Sequence, residues 1–330
     1  MESLIPEFSW HGVFVDPWVD GFGEYVWIWL MGWLMSATCG VVGSFLILRR
    51  MALVGDAISH SVLPGLVVAF LITGSLEGPV MLIGAAVAGM LTTVLIELIH
   101  QNSRVKADAA LGIVFASLFA LGVILITVFA GNVHLDVNHV LYGALEFVPF
   151  EDAWEVAGVF VPYPVLQMGW VALGVLGMTV LFYKELLVTS FDATLGQSLG
   201  MPVRSIHFTL MAVLAVVVVS AFSAVGAILV IAMLIFPGST MMLLSDRLPR
   251  VLFGATLLGG IYAIGGLHLA LFLGCSIAGA MVVVALFVFI LAWVLSPHRG
   301  LLGRWRKRRG EVGSAVHMEQ FDDLNASKDP

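Results

Sequence analysis

The sequence predicts an all-α, polytopic membrane bundle of about nine spanning helices, with eight as the alternative count. Three observations lead there. The 330 residues are 60% hydrophobic and only 11% charged, against about 45–50% and about 25% in a soluble domain. The apolar residues fall into runs near the roughly 20 residues a bilayer core demands. Lys and Arg collect in every second connection, as the positive-inside rule expects.

The expected spans are 25–48, 57–74, 79–99, 109–130, 164–183, 206–223, 225–244, 251–271 and 277–295. Arg49 with Arg50, Arg104 with Lys106, the stretch from Lys184 to Arg204, Arg247 with Arg250, and the run from Arg299 to Arg309 then all lie in the cytoplasm. The linker 75–78, the long segment 131–163 and the connection after Gly274 lack Lys and Arg and face outward. Three regions follow: an acidic, aromatic outer segment (1–24), a membrane domain (25–298), and a basic then acidic cytoplasmic tail (299–330) expected to be disordered. The first has no basic stretch of the kind that opens a cleaved signal, so it is expected in the mature protein. Trp10, Phe14, Trp18 and Phe22 suit it to an amphipathic cap at the outer interface. Cys39 and Cys275 read as small buried apolar residues. Pro64 and the Pro237-Gly238 pair, inside apolar runs, predict broken helices.

The most informative stretch runs from Arg49 to Gly65. Asp56 and His60 are four apart, which places both on one helical face. A carboxylate in hydrocarbon costs roughly 2.5–3.5 kcal/mol even on the lenient insertion scale. Asp plus His is a ligand pair for a divalent metal; a structural acid beside a core histidine is the alternative. Asp136 and His139, in the outer segment, form a second constellation that would hand metal inward or line an outer gate. A plain polar loop explains them equally well, and His134 is weaker still. Glu97 and His100 read as residues snorkelling to the cytoplasmic interface, and His268 as a core histidine. His317 and Met318 fall in the solvated tail.

In the longest cytoplasmic connection, Asp192 suits a helix N-cap, Leu195 and Leu199 share a face, and Gly200 with Pro202 stops the helix. Such a helix either lies on the membrane or plugs a groove on a partner. No lysine (Lys106, Lys184, Lys307, Lys328) is preceded by Gly and followed by Ser or Thr. The chain therefore lacks a Walker A motif, and it must draw energy from a partner or a gradient.

The run from Arg50 to Gly65 resembles the signature of the metal-type ATP-binding-cassette permeases, the membrane subunits of bacterial zinc, manganese and iron uptake systems. Three further stretches resemble that family in the same order: Lys106 to Phe115, Ser190 to Pro202, and Val225 to Leu248. The resemblance implies a fold related to the vitamin-B12-type permeases, in the bacterial plasma membrane. It also implies a second permease copy (homodimer or close heterodimer), a cytoplasmic ATPase dimer and an extracytoplasmic metal-binding protein, with no nucleic acid and no resident cofactor. By resemblance, Asp56 and His60 line the metal path. Phe191, Asp192, Leu195, Leu199, Gly200 and Pro202 belong to the helix that docks on the ATPase.

Two copies facing each other would bring two carboxylates and two neutral imidazoles to one M²⁺, giving an electrically neutral occupied site. A transport site must also bind loosely enough to release. His60 ligates only when neutral, so uptake into vesicles is expected to fall on acidification. The residues leave the metal open among Mn²⁺, Zn²⁺ and Fe²⁺. A gradient-driven secondary metal transporter is the rival reading. It would need no docking helix.

Overall fold

The computed structural model describes residues 10–74, 79–129, 145–156, 158–296 and 300. Two short helices open it, α1 (Trp10–Phe14) and α2 (Asp16–Val19). Next come α3 (Phe22–Leu48), α4 (Val54–Ser61), α5 (Leu63–Thr73), α6 (Pro79–Asn102) and α7 (Ala107–Phe129). A 3-10 turn (Leu145–Phe150) and an antiparallel hairpin, β1 (Ala153–Val156) with β2 (Val159–Pro162), lead into α8 (Tyr163–Leu181). Then follow α9 (Tyr183–Phe191), α10 (Ala193–Ser198), α11 (Val203–Val225), α12 (Ala227–Leu244), α13 (Leu248–Leu273) and α14 (Ile277–Leu295).

Counting α4 and α5 as one broken span, the described residues hold 9 helices long and apolar enough to cross a bilayer. The expected spans are recovered to within a few residues at each end. Helix α3 is the axis of the bundle, with α12 and α13 packed along it and α14 against both. Met31, Met35, Cys39, Phe45 and Leu46 of α3 are buried there with Leu229, Met233 and Tyr262. Helices α5, α6 and α7 form a second layer joined to the first through α11 and α4.

Side-chain contacts test the alternating topology independently of charge. Arg49 after α3, Glu97 near the end of α6 and His207 near the start of α11 meet, as three cytoplasmic ends should. At the opposite end, α1 and α2 reach His268 near the end of α13. His268 Nδ1 lies 2.8 Å from the Val13 carbonyl and donates to it, and its Nε2 accepts from Trp18 Nε1 at 3.3 Å. The Phe14 ring lies 4.9 Å from the imidazole. Both ring nitrogens are therefore used, which extends the core reading of His268: it is the latch for the N-terminal segment. Of the four expected interface aromatics, Phe14 and Trp18 dock on this latch, whereas Trp10 and Phe22 stay largely exposed. His268→Ala should raise amide hydrogen exchange across residues 10–19, since it removes two bonds of about 1 kcal/mol each. Exchange in α12 and α14 should be unchanged.

The two prolines behave differently. Pro64 stands in the first turn of α5, and Val62 separates α4 from α5. This is the expected break. Pro64 has no N–H, so the His60 carbonyl loses its helical partner. Pro237, by contrast, lies inside an uninterrupted α12, which corrects the expectation of a break at Pro237-Gly238. The ring is accommodated because α3 presents Gly40 to it: a Cβ on Gly40 would stand 3.0 Å from Pro237 Cβ. Tight packing on a neighbouring helix holds such a helix together. The true discontinuity nearby is Gly226, between α11 and α12, whose φ of 79° and ψ of 164° suit glycine. Cys39 is buried as expected, whereas Cys275 is exposed. It follows the left-handed Gly274 that ends α13, and so sits in a turn rather than in a span.

Candidate metal site and coupling helix

Helix α4 is short because Arg50 starts its approach and Pro64 ends its continuation. Its first turn carries Asp56 and its last turn His60. The helix dipole favours an anion at the first and a cation at the second. The imidazole Nε2 lies 3.5 Å from Asp56 Oδ1, so the pair shares a face but is not tightly bonded. Between them, Ile58 is fully buried. A Cβ on Gly89 would stand 3.1 Å from Ile58 and 2.8 Å from Ala215. Gly89 and Ala215 lie near the middle of their helices, α6 and α11, so Ile58, between Asp56 and His60, is level with the middle of both.

The pair is nonetheless open. The His60 side chain is 34% exposed and that of Asp56 is 43% exposed in the isolated chain. Phe115 and Phe119 of α7 flank the imidazole, at ring separations of 5.5 and 6.2 Å. They form an apolar wall on one side, and sequence reasoning missed both. The i, i+4 spacing of two aromatics on α7 was the available signal. Ser61 and Thr92, hydroxyl to hydroxyl at 2.6 Å, tie the end of α4 to α6. Small residues let α5 and α6 approach: a Cβ on Gly65 would stand 2.2 Å from the Gly84 carbonyl oxygen.

Among the described residues there is no group of three or more His, Cys, Asp or Glu side chains placed to hold a metal. As ligands, Asp56 and His60 would number two in one chain, fewer than the four of a tetrahedral site. Asp136 and His139 lie outside the described residues.

The segment expected to dock on a partner has the expected local form. Asp192 caps α10, its Oδ1 accepting from Thr194 N at 2.9 Å and Leu195 N at 3.0 Å. At the other end Gly200, with φ 74°, closes the turn: Gly200 N donates to the Gln197 carbonyl and Met201 N to the Gly196 carbonyl. Pro202 precedes α11. Phe191, Leu195 and Leu199 are 63%, 50% and 60% exposed, an apolar stripe without cover in this chain. Gly196 is buried beneath it, against Val203 and Thr189.

A second cluster, where the ends of α3, α6, α9 and α11 meet, was missed in reading the sequence. Arg49 donates from Nη2 to Thr189 Oγ1 (2.9 Å) and from Nε to Ser190 Oγ (3.1 Å), both on α9. Its Nη1 also faces His207 Nδ1 at 3.5 Å. Burial pulls the guanidinium down to about 10, so it stays charged at neutral pH. His207 Nε2 in turn faces Glu97 Oε2 at 3.6 Å, and Gln101 Nε2 donates to the other Glu97 oxygen. Glu97 is thus a partnered residue rather than a snorkelling one. His100, exposed, does stay at the interface, with Nδ1 3.2 Å from the Val105 carbonyl. Glu97 and His207, ionisable residues in apolar spans, were the signal for this cluster.

Comparison with known proteins identifies the family. Residues 24–296 match the family model described as the ABC 3 transport family. The chain is 44% identical to the manganese transport system membrane protein MntD of Bacillus subtilis, over 84% of this chain and 93% of that protein. It is 40% identical to the zinc transport system membrane protein TroD of Treponema pallidum, over 83% of this chain and 75% of that one. Among solved structures, PsaBC from Streptococcus pneumoniae in complex with Fab superposes with a TM-score of 0.72 at 31% identity, covering 89% of this chain and 99% of that chain. This chain therefore belongs to the ABC 3 transport family.

Proposed function

We propose that the chain is the membrane permease subunit of an importer that moves divalent metal ions, Mn²⁺ or Zn²⁺ foremost, past Asp56 and His60. One observation carries the reading. A carboxylate and an imidazole share one face of a helix that is part of a broken apolar span, a third or more exposed in the single chain. Left toward lipid, the acid would cost roughly 2.5–3.5 kcal/mol; facing a route shared with a second copy, it is solvated or metal-bound. Two copies supply four ligands and two negative charges, which neutralise one M²⁺. The relatives bear manganese and zinc in their names, and the donor set suits either ion. Asp136 and His139 are proposed as outer hand-over ligands, meeting metal brought by an extracytoplasmic binding protein.

Energy comes from a separate cytoplasmic ATPase. The chain has no Walker A lysine, and α10 offers Phe191, Leu195 and Leu199 as an exposed apolar stripe on a well-capped helix. Asp192, Gly200 and Pro202 hold that helix in shape. The test is uptake of labelled Mn²⁺ or Zn²⁺ into proteoliposomes that hold the permease with its ATPase. ATP-dependent uptake stopped by vanadate is expected. Uptake that ignores vanadate but collapses with an ionophore would overturn the assignment in favour of a gradient-driven carrier.

A further inference from the structure

Between the docking helix and the Asp–His pair lie a set of hydrogen bonds and one tight turn of the chain. Thr189 stands at their start. The Thr189 γ-methyl would lie 3.3 Å from a Cβ on Gly196 of α10, so α10 packs closely on Thr189. Its hydroxyl has two roles: it donates to the Glu185 carbonyl at 2.7 Å and accepts from Arg49 Nη2 at 2.9 Å. Ser190 Oγ accepts a second hydrogen bond, from Arg49 Nε at 3.1 Å. One planar guanidinium therefore grips two adjacent hydroxyls, a fork that an ammonium cannot reproduce.

Beyond Arg49 the chain turns abruptly. Arg50 has φ 59°, the sole left-handed non-glycine residue among those described. Arg50 N donates to the Ile47 carbonyl and Met51 N to the Leu46 carbonyl. That is the hydrogen-bond pattern of a helix C-terminal cap that ordinarily has glycine at this position. A side chain there costs on the order of 1–2 kcal/mol. The next helix, four residues on, is α4, with Asp56 in its first turn. Arg49 is thus anchored to the docking segment on one side and joined through a strained turn to the metal pair on the other.

We propose that Arg49 is a positioning residue that transmits movement of the α9–α10 docking segment to α4, so that ATP-driven displacement of α10 reorients Asp56 and His60. The proposal rests on the reading that a cytoplasmic ATPase drives transport. Arg49 itself touches no metal. His207 and Glu97 brace it from α11 and α6, which keeps the guanidinium aimed at α9.

The test compares metal uptake with ATP hydrolysis in the same proteoliposomes, holding the complete permease–ATPase complex. Arg49→Gln should leave hydrolysis within about twofold of wild type and lower metal moved per ATP by about tenfold. Arg49→Lys should not rescue that ratio, because a point charge cannot bridge both hydroxyls. The pair Thr189→Val with Ser190→Ala keeps Arg49 in place and should give the same uncoupling. Adding Arg49→Gln to that pair should cost little more, the non-additivity of one shared interaction. Should Arg49→Gln fail to insert, the Thr189/Ser190 variant alone decides. Three outcomes overturn the proposal: uptake and hydrolysis falling in proportion, full rescue by lysine, or wild-type coupling in the Thr189/Ser190 variant. If wild-type uptake needs no ATP, the ATPase reading fails and takes this inference with it; ATP-driven wild-type uptake with coupled variants overturns the inference alone.

Discussion

Asp56→Asn is expected to lower ATP-driven metal uptake by about 100-fold or more, beyond the 10–100-fold typical of losing a residue that merely supports a ligand. Asparagine keeps the volume and removes the charge. With two copies, the occupied site would change from neutral to doubly positive, and the cation would lose its principal attraction in a low-dielectric setting. Stability should move the other way. The carboxylate faces His60 at 3.5 Å, so removing the charge breaks no strong bond and spares an acid within an apolar span its desolvation. Insertion and thermal stability should hold or improve, by up to about 2 kcal/mol. His60→Gln should give a similar loss of uptake. Combining the two should be less than additive, because both disable one site. Uptake assays beside thermal unfolding in detergent separate the readings. An Asp56→Asn protein that is less stable yet transports normally would assign the acid a purely structural role.

The second large effect concerns packing. Gly43→Ala should cost about 3 kcal/mol or prevent accumulation of folded protein. A Cβ there would stand 1.8 Å from the Leu234 carbonyl oxygen and 2.7 Å from its carbon. Both are backbone atoms in the middle of α12, and backbone yields less readily than a side chain. Helices α3 and α12 would have to separate, and with them the contacts of Gly40 with Pro237 and of Ser44 with Gly238. Gly174→Ala is the control: a Cβ on Gly174 meets nothing within 4 Å, so the change should be neutral or stabilising by about 0.5–1 kcal/mol. Thermal-shift measurements on the two variants, normalised to wild type, test the pair directly. Equal melting temperatures would mean that α3 and α12 do not approach as closely as described.

These expectations draw unequally on what could be read along the chain. The spans were legible because hydrocarbon demands a fixed length of continuous apolar residues, which is a local property. The alternation of the spans was legible because bases accumulate in every second connection, and the meeting of Arg49, Glu97 and His207 at one end agrees with it. The α10 cap was legible in Asp192 and Gly200 because capping is settled within five residues. Pairing Asp56 with His60 needed only helical spacing. Pro64 and Pro237 mark the boundary of that method. Each removes the same hydrogen bond, yet only Pro64 interrupts its helix, since Gly40 of a distant helix receives the Pro237 ring.

Helix identity, the capped helix α10 and the pairing of Asp56 with His60 on one face were thus determined by the amino-acid sequence alone, each through interactions spanning a turn or a bilayer thickness. Tertiary structure decided the rest: Phe115 and Phe119 beside His60, Glu97 facing His207, Arg49 gripping α9, and the N-terminal segment latched on His268. Those partners lie tens to hundreds of residues apart. What brings them together is how closely helices approach, and that depends on the shapes of both surfaces at once.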